Sequence, residues 1–134
     1  MRASRFLAVF GAVLVTLPAT AAEPAAGQQA SGPGQGLFNN HCRTCHSVQE
    51  GDSRLGPSLK GIVGAKPGTR AGYSNYSQAM TSAALVWDEA ALDRFIADPE
   101  AVVPNNNMKP YKGIGDQAVR KQIVDFLKSQ GGSP

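Results

Sequence analysis

The chain has 134 residues, with 13 Lys+Arg against 10 Asp+Glu and a formal net charge of +3. That length fits one domain, the 42% hydrophobic content excludes an intrinsically disordered chain, and two cysteines are too few for a disulfide-framework protein. So small a charge also argues against a dedicated nucleic-acid binder.

Arg2 and Arg5 precede Phe6 to Leu17, an uncharged apolar run that Pro18 breaks. The small residues Ala19, Thr20, Ala21 and Ala22 follow. Positive charge, apolar run and small residues, in that order, predict a secretory signal peptide over residues 1–22, cleaved after Ala21 or Ala22. The run is shorter than the roughly 20 apolar residues a membrane span needs, so a retained anchor is the weaker reading. Removing Arg2 and Arg5 leaves 11 basic against 10 acidic residues, a mature net charge of +1. Export takes the thiols to an oxidising compartment, the periplasm, where they must be paired, bound or covalently modified.

Residues 23–33 are rich in Ala, Gln, Gly and Pro and read as a flexible linker. The working domain is expected over residues 34–130, with a disordered tail over 131–134. Leu37-Phe38 opens a short helix reaching Cys45. Residues 51–72 read as loop on their glycines and prolines, with Leu55, Leu59, Ile62 and Val63 as inward contacts. A helix is predicted from Ser74, as its cap, to Ala84. Asp88 caps the next, whose apolar face is Ala91, Leu92, Phe95 and Ile96. Asp98 ends it and caps a further short turn opened by Pro99. Residues 104–115 are loop. Asp116 caps the clearest helix, with Val119, Ile123, Phe126 and Leu127 in one stripe and Gly131-Gly132 as its stop. The class is all-α with long loops. Loops of that length do not normally pack themselves, so something besides side chains is expected to complete the core.

Cys42-Arg43-Thr44-Cys45-His46 is a C-x-x-C-H sequence, the attachment signature for c-type haem. On a helical turn the two thiols project to neighbouring points, matching the two vinyl groups on one porphyrin edge. The following imidazole is then aimed at the iron. Three other readings compete: a Cys42–Cys45 disulfide, a thioredoxin-like redox pair, and zinc held with His41 and His46. The redox pair lacks its βαβ setting, and zinc lacks a second ligand pair at finger spacing. For a second axial ligand the mature chain offers Met80 and Met108. Met80 reads as core filler on a helix, whereas Met108 follows three asparagines in a Pro-bounded loop, a setting that fixes a thioether in place. His41 directly precedes the cysteine pair, which places it poorly for the far side of a haem.

From Gly34 to Lys128 the chain resembles a class I cytochrome c, of the small bacterial mono-haem kind. Gly34, Leu37 and Phe38 precede the haem motif as in that family's first helix. Gly56-Pro57-Ser58-Leu59, Gly61-Ile62-Val63-Gly64, Tyr76, Trp87 and the Met108 loop follow in family order. Val124, Phe126 and Leu127 match its last helix. The resemblance implies three to five short helices and long loops wrapped round one covalently attached haem c. It implies that the Pro57 carbonyl accepts a bond from the His46 ring, that Tyr76 and Trp87 donate to a haem propionate, and that Gly34 permits a close helix crossing near Phe126. Three places depart from the family pattern. Ala65 stands where relatives carry an arginine, with Lys66 or Arg70 as substitutes. Lys109-Pro110-Tyr111 stands where an aromatic is common, and Phe95 where a tyrosine is.

Cys42 and Cys45 as thioethers, with His46 and Met108 on iron, leave no site for oxygen or peroxide, and a thioether favours Fe(II). The expected function is that of a soluble periplasmic one-electron carrier, monomeric and without a membrane span after cleavage. It would shuttle between partners such as a quinol-oxidising complex, a terminal oxidase, a reaction centre or a dehydrogenase. The alternative is a dedicated electron-accepting subunit of a periplasmic dehydrogenase. A haem peroxidase is a lesser one, since no distal acid–base pair is available.

Overall fold

The computed structural model describes residues 32–131. The expected signal peptide over 1–22, all but the end of the linker over 23–33, and residues 132–134 of the tail lie outside them. Five helices fall in the described residues: α1 (Pro33–His41), α2 (Gln78–Ser82), α3 (Glu89–Ala97), α4 (Pro99–Val102) and α5 (Gln117–Ser129). No strand occurs among the described residues, so the architecture is the all-α, loop-rich one predicted.

Four helix starts have side-chain caps, three of them aspartates. Asp88 accepts the Ala91 N–H, Asp98 accepts those of Glu100 and Ala101, and Asp116 accepts those of Ala118 and Val119. Each satisfies donors that a first helical turn leaves without a partner. Two elements differ from expectation. α1 opens at Pro33, four residues before Leu37, and closes at His41, so Cys42–Cys45 form a turn. Proline is favoured there because its fixed φ suits the first helical position and its missing N–H costs nothing. The helix expected from Ser74 to Ala84 shrinks to Gln78–Ser82, capped by Ser77. The Asn75 carbonyl instead accepts from Asn107 Nδ2 at 3.2 Å, and the Tyr73 hydroxyl donates to the Leu55 carbonyl at 2.9 Å. Those long-range bonds hold residues 73–76 outside the helix.

α1 crosses α5 with Gly34 at the crossing. A Cβ there would stand 2.9 Å from the Phe126 Cβ and closer still to the Gln122 carbonyl oxygen. The Phe38 and Phe126 rings meet at 5.4 Å beside it. α3 packs on the same helix and is tied to it by Arg120 Nε, 2.8 Å from Asp93 Oδ1. Arg120 also donates to the carbonyls of Ile114 and Gly115, anchoring the loop that leads into α5. Ile123, Val124 and Leu127 of α5 meet Leu92, Phe95 and Ile96 of α3 in one buried cluster with Phe38, Ile62 and Trp87. The loop over 51–72 joins it through the buried Ile62 and partly buried Leu59 and Val63. Leu55 stands apart from that cluster: it is 72% exposed and lines the cavity described below. Its neighbours explain this, because Arg54 N–H donates to the Gly56 carbonyl and Gly56 N–H to the Cys45 carbonyl, both at 2.8 Å. That tight turn carries Gly56 inward and leaves Leu55 at the cavity edge.

Candidate haem site

Helices α1, α2, α3 and α5 and the loops between them surround a cavity of about 550 Å³, within the size range of small-molecule and cofactor sites. Cys42, Cys45, His46, Pro57, Tyr76, Trp87 and Met108 all line it. These are the seven residues singled out from the sequence, drawn from the turn after α1, the loop over 51–72, the segments flanking α2 and the loop after α4.

His46 is buried, and its Nδ1 lies 2.8 Å from the Pro57 carbonyl oxygen. A carbonyl can only accept, so Nδ1 carries the proton. Burial lowers the pKa of the imidazole, against a smaller raising effect of the Pro57 bond, which keeps the ring neutral. Nε2 is thereby left with a free lone pair, the form a metal ligand needs. Gly56 makes the approach possible: a Cβ on it would meet ring atoms Nδ1 at 2.7 Å and Nε2 at 2.9 Å.

Cys42 and Cys45 are both free thiols, so no disulfide joins them. Burial, and then the neighbouring Cys45, push the Cys42 thiol up to about 12. Redox-active C-x-x-C thiols have lowered values instead. Among the described residues no group of three or more His, Cys, Asp or Glu side chains could hold a metal ion, which removes the zinc reading there. Two thiols three residues apart and a neutral imidazole on one apolar cavity fit the attachment edge and iron of a haem.

Trp87 is buried against Phe95, ring centroids 4.8 Å apart. Its backbone N–H donates to the Ala65 carbonyl and its carbonyl accepts the Gly64 N–H, each at 2.9 Å. The ring N–H has no protein partner among the described residues, and it is not sealed from the cavity. Tyr76 stands edge-on to Tyr73 at 4.8 Å. Burial raises its hydroxyl pKa, offset in part by the Arg70 backbone N–H and charge. Arg70 itself lines the cavity and donates to the Lys60 carbonyl. Lys66 lines the cavity as well. The cavity therefore has indole, phenol and cationic donors for a carboxylate.

Met108 is partly buried and borders the same cavity. Met80 also reaches it while packing on the core. Exposed His41 sits at the margin. Sequence reasoning missed Asn106, a buried residue whose Oδ1 accepts the Met108 backbone N–H at 2.9 Å. Three asparagines in a row carried no signal to separate it from its neighbours. It also missed that Tyr111 lines the cavity while its hydroxyl donates to the Ile96 carbonyl at 2.8 Å.

An all-α chain folded around a cavity with a C-x-x-C-H edge defines a c-type cytochrome. The sequence model described as Cytochrome c matches residues 31–131, and the chain belongs to the cytochrome c family. Cytochrome c2 of Rhodomicrobium vannielii is 37% identical over 129 residues, covering 94% of this chain and 95% of its own. Cytochrome c2 iso-2 of Magnetospirillum fulvum is 40% identical over 88 residues, covering 66% of this chain and 90% of its own. Among solved structures, cytochrome cH from Methylobacterium extorquens superposes with a TM-score of 0.65 at 37% identity, over 72% of this chain and 94% of that one. The chain is accordingly an electron carrier with one covalently bound haem c.

Proposed function

We propose that Cys42 and Cys45 hold the haem as thioethers and that His46 and Met108 are its axial ligands. In this reading Pro57, Tyr76 and Trp87 tune and anchor it. The observation that carries this reading is the neutral His46 ring, pinned through Nδ1 to Pro57 with Nε2 free on a cavity that Met108 shares. Bound haem c supplies the one-electron Fe(II)/Fe(III) couple. Everything else is done by the chain. The Pro57 carbonyl fixes the His46 tautomer and strengthens its donor atom. Met108 supplies a soft thioether that favours Fe(II). Trp87 and Tyr76 offer N–H and O–H donors to a buried carboxylate, which is costly to bury without them. The apolar walls Leu92, Ile96, Ile123 and Leu127 exclude water.

With both axial positions taken by side chains, the protein carries electrons and does not catalyse. The N-terminal pattern supports export to the periplasm, and no helix among the described residues is long and apolar enough to cross a membrane. Its partners are redox proteins of the quinol-oxidising complex, terminal oxidase, reaction centre or dehydrogenase kind. Electrostatic steering toward them is weak, since Glu100 lies 3.4 Å from Lys109 beside Met108 and offsets its charge. Oxidised protein is expected to show the weak far-red band of a methionine-to-Fe(III) bond, and Met108→Ala is expected to abolish it. Survival of the band in that variant contradicts the ligand set.

A further inference from the structure

We infer that Glu100 and Asn106 form a clamp that holds Met108 against displacement from the iron. The inference rests on the axial role proposed for Met108. α4 is a four-residue helix, and Glu100 is its second residue. One carboxylate oxygen of Glu100 accepts the Asn105 backbone N–H at 2.8 Å, and the other accepts from Asn106 Nδ2 at 3.2 Å. The Asn106 amide is thereby oriented. Its NH₂ also donates to the Val103 carbonyl at 2.9 Å, and its Oδ1 is left to accept the Met108 N–H at 2.9 Å.

The backbone is bent to suit. Asn105 has φ 61°, the left-handed region that asparagine tolerates better than most residues. Asn107 Nδ2 ties the same loop to the Asn75 carbonyl across the cavity mouth. Each polar atom has a task no other common side chain meets. Glutamine at 100 offers one acceptor where Asn105 N–H and Asn106 Nδ2 both point, and it lacks the charge that pairs with Lys109 at 3.4 Å. Aspartate at 106 places a second negative oxygen against Glu100 and the Val103 carbonyl. Glu100 is half exposed while Asn106 is 3% exposed, so the bond that matters most to Met108 is sheltered from water and the one that orients it is accessible to substitution.

These are positioning residues, and exogenous imidazole reads their action directly, since it binds ferric iron only when Met108 leaves. In the ferric holoprotein, Asn106→Ala is expected to bind imidazole about tenfold more tightly than the parent, the size set by the one of its three lost bonds that holds Met108 itself. Glu100→Gln is expected to give a smaller gain in the same direction. The double variant should exceed the parent by less than the product of the single effects, because both act through one network. If Asn106→Ala does not fold, the isosteric and half-exposed Glu100→Gln decides alone. Parental imidazole affinity in these variants, with the far-red band intact in the parent and lost in Met108→Ala, overturns the clamp and leaves the ligand reading standing. Absence of that band in the parent, or its survival in Met108→Ala, overturns both.

Discussion

The Pro57 carbonyl oxygen sits 2.8 Å from Nδ1 of His46, and this bond depends on the glycine before it. Gly56 presses its Cα against the imidazole so closely that a methyl group there meets Nδ1 at 2.7 Å and Nε2 at 2.9 Å. The ring cannot yield without losing Pro57 or its aim into the cavity.

Gly56→Ala is therefore expected to lose about 1–3 kcal/mol of stability, the usual cost of overpacking, and to weaken axial ligation by His46. Thermal unfolding followed in the haem absorption band checks the first, and acid titration of the low-spin ferric spectrum, which collapses at higher pH when the His46 bond is weaker, checks the second. Gly115→Ala is the control, since nothing lies within 4 Å of a Cβ at that position. It should change stability by less than about 0.5 kcal/mol.

The α1–α5 crossing makes a paired prediction. Gly34→Ala drives a methyl group into the Gln122 carbonyl and to 2.9 Å from the Phe126 Cβ, and should cost about 2 kcal/mol. Gly36 lies on the same helix with nothing within 4 Å of a Cβ. Gly36→Ala should stabilise by up to about 1 kcal/mol through helix propensity alone. Denaturant melts of the two variants should move in opposite directions; a shared direction contradicts the packing account.

Tyr111 gives the pH prediction. Burial, and then Cys42, push its phenol up to about 12, against a smaller lowering by Arg120. A thioether at Cys42 removes the second cause and leaves the first. The folded value stays raised above the unfolded value of about 10 by burial, so the stabilisation is fully present below pH 10 and is lost as pH rises through the raised folded value. Tyr111→Phe should remove that alkaline loss and cost about 1 kcal/mol at neutral pH for the bond to Ile96. Ultraviolet titration of the phenolates checks it, and a Tyr111 phenolate appearing below pH 10 contradicts it.

The parts legible in the sequence were those encoded locally. Cys42 to His46 is contiguous, so spacing alone brought the thiols and imidazole to one cavity edge. Asp88, Asp98 and Asp116 were readable as caps because a cap acts within three residues of itself. What escaped was set by long-range bonds. Ser74 and Ser77 are equal as caps until the Asn75 carbonyl is taken by Asn107 and Tyr73 by Leu55. Leu55 carries the apolar signal of a core residue, but it lines the cavity and not the side-chain cluster. Asn106 is one of three identical neighbours, and only the reach of Glu100 from α4 distinguishes it.

The central claim is that Cys42 and Cys45 carry one haem. Intact-mass analysis of the protein recovered from the periplasm of a host that matures c-type cytochromes tests it most directly. The account predicts a chain lacking residues 1–21 or 1–22 and heavier by one covalently attached haem, with no free thiol. A haem-free mass, with Cys42 and Cys45 as thiols or as a disulfide, would contradict it.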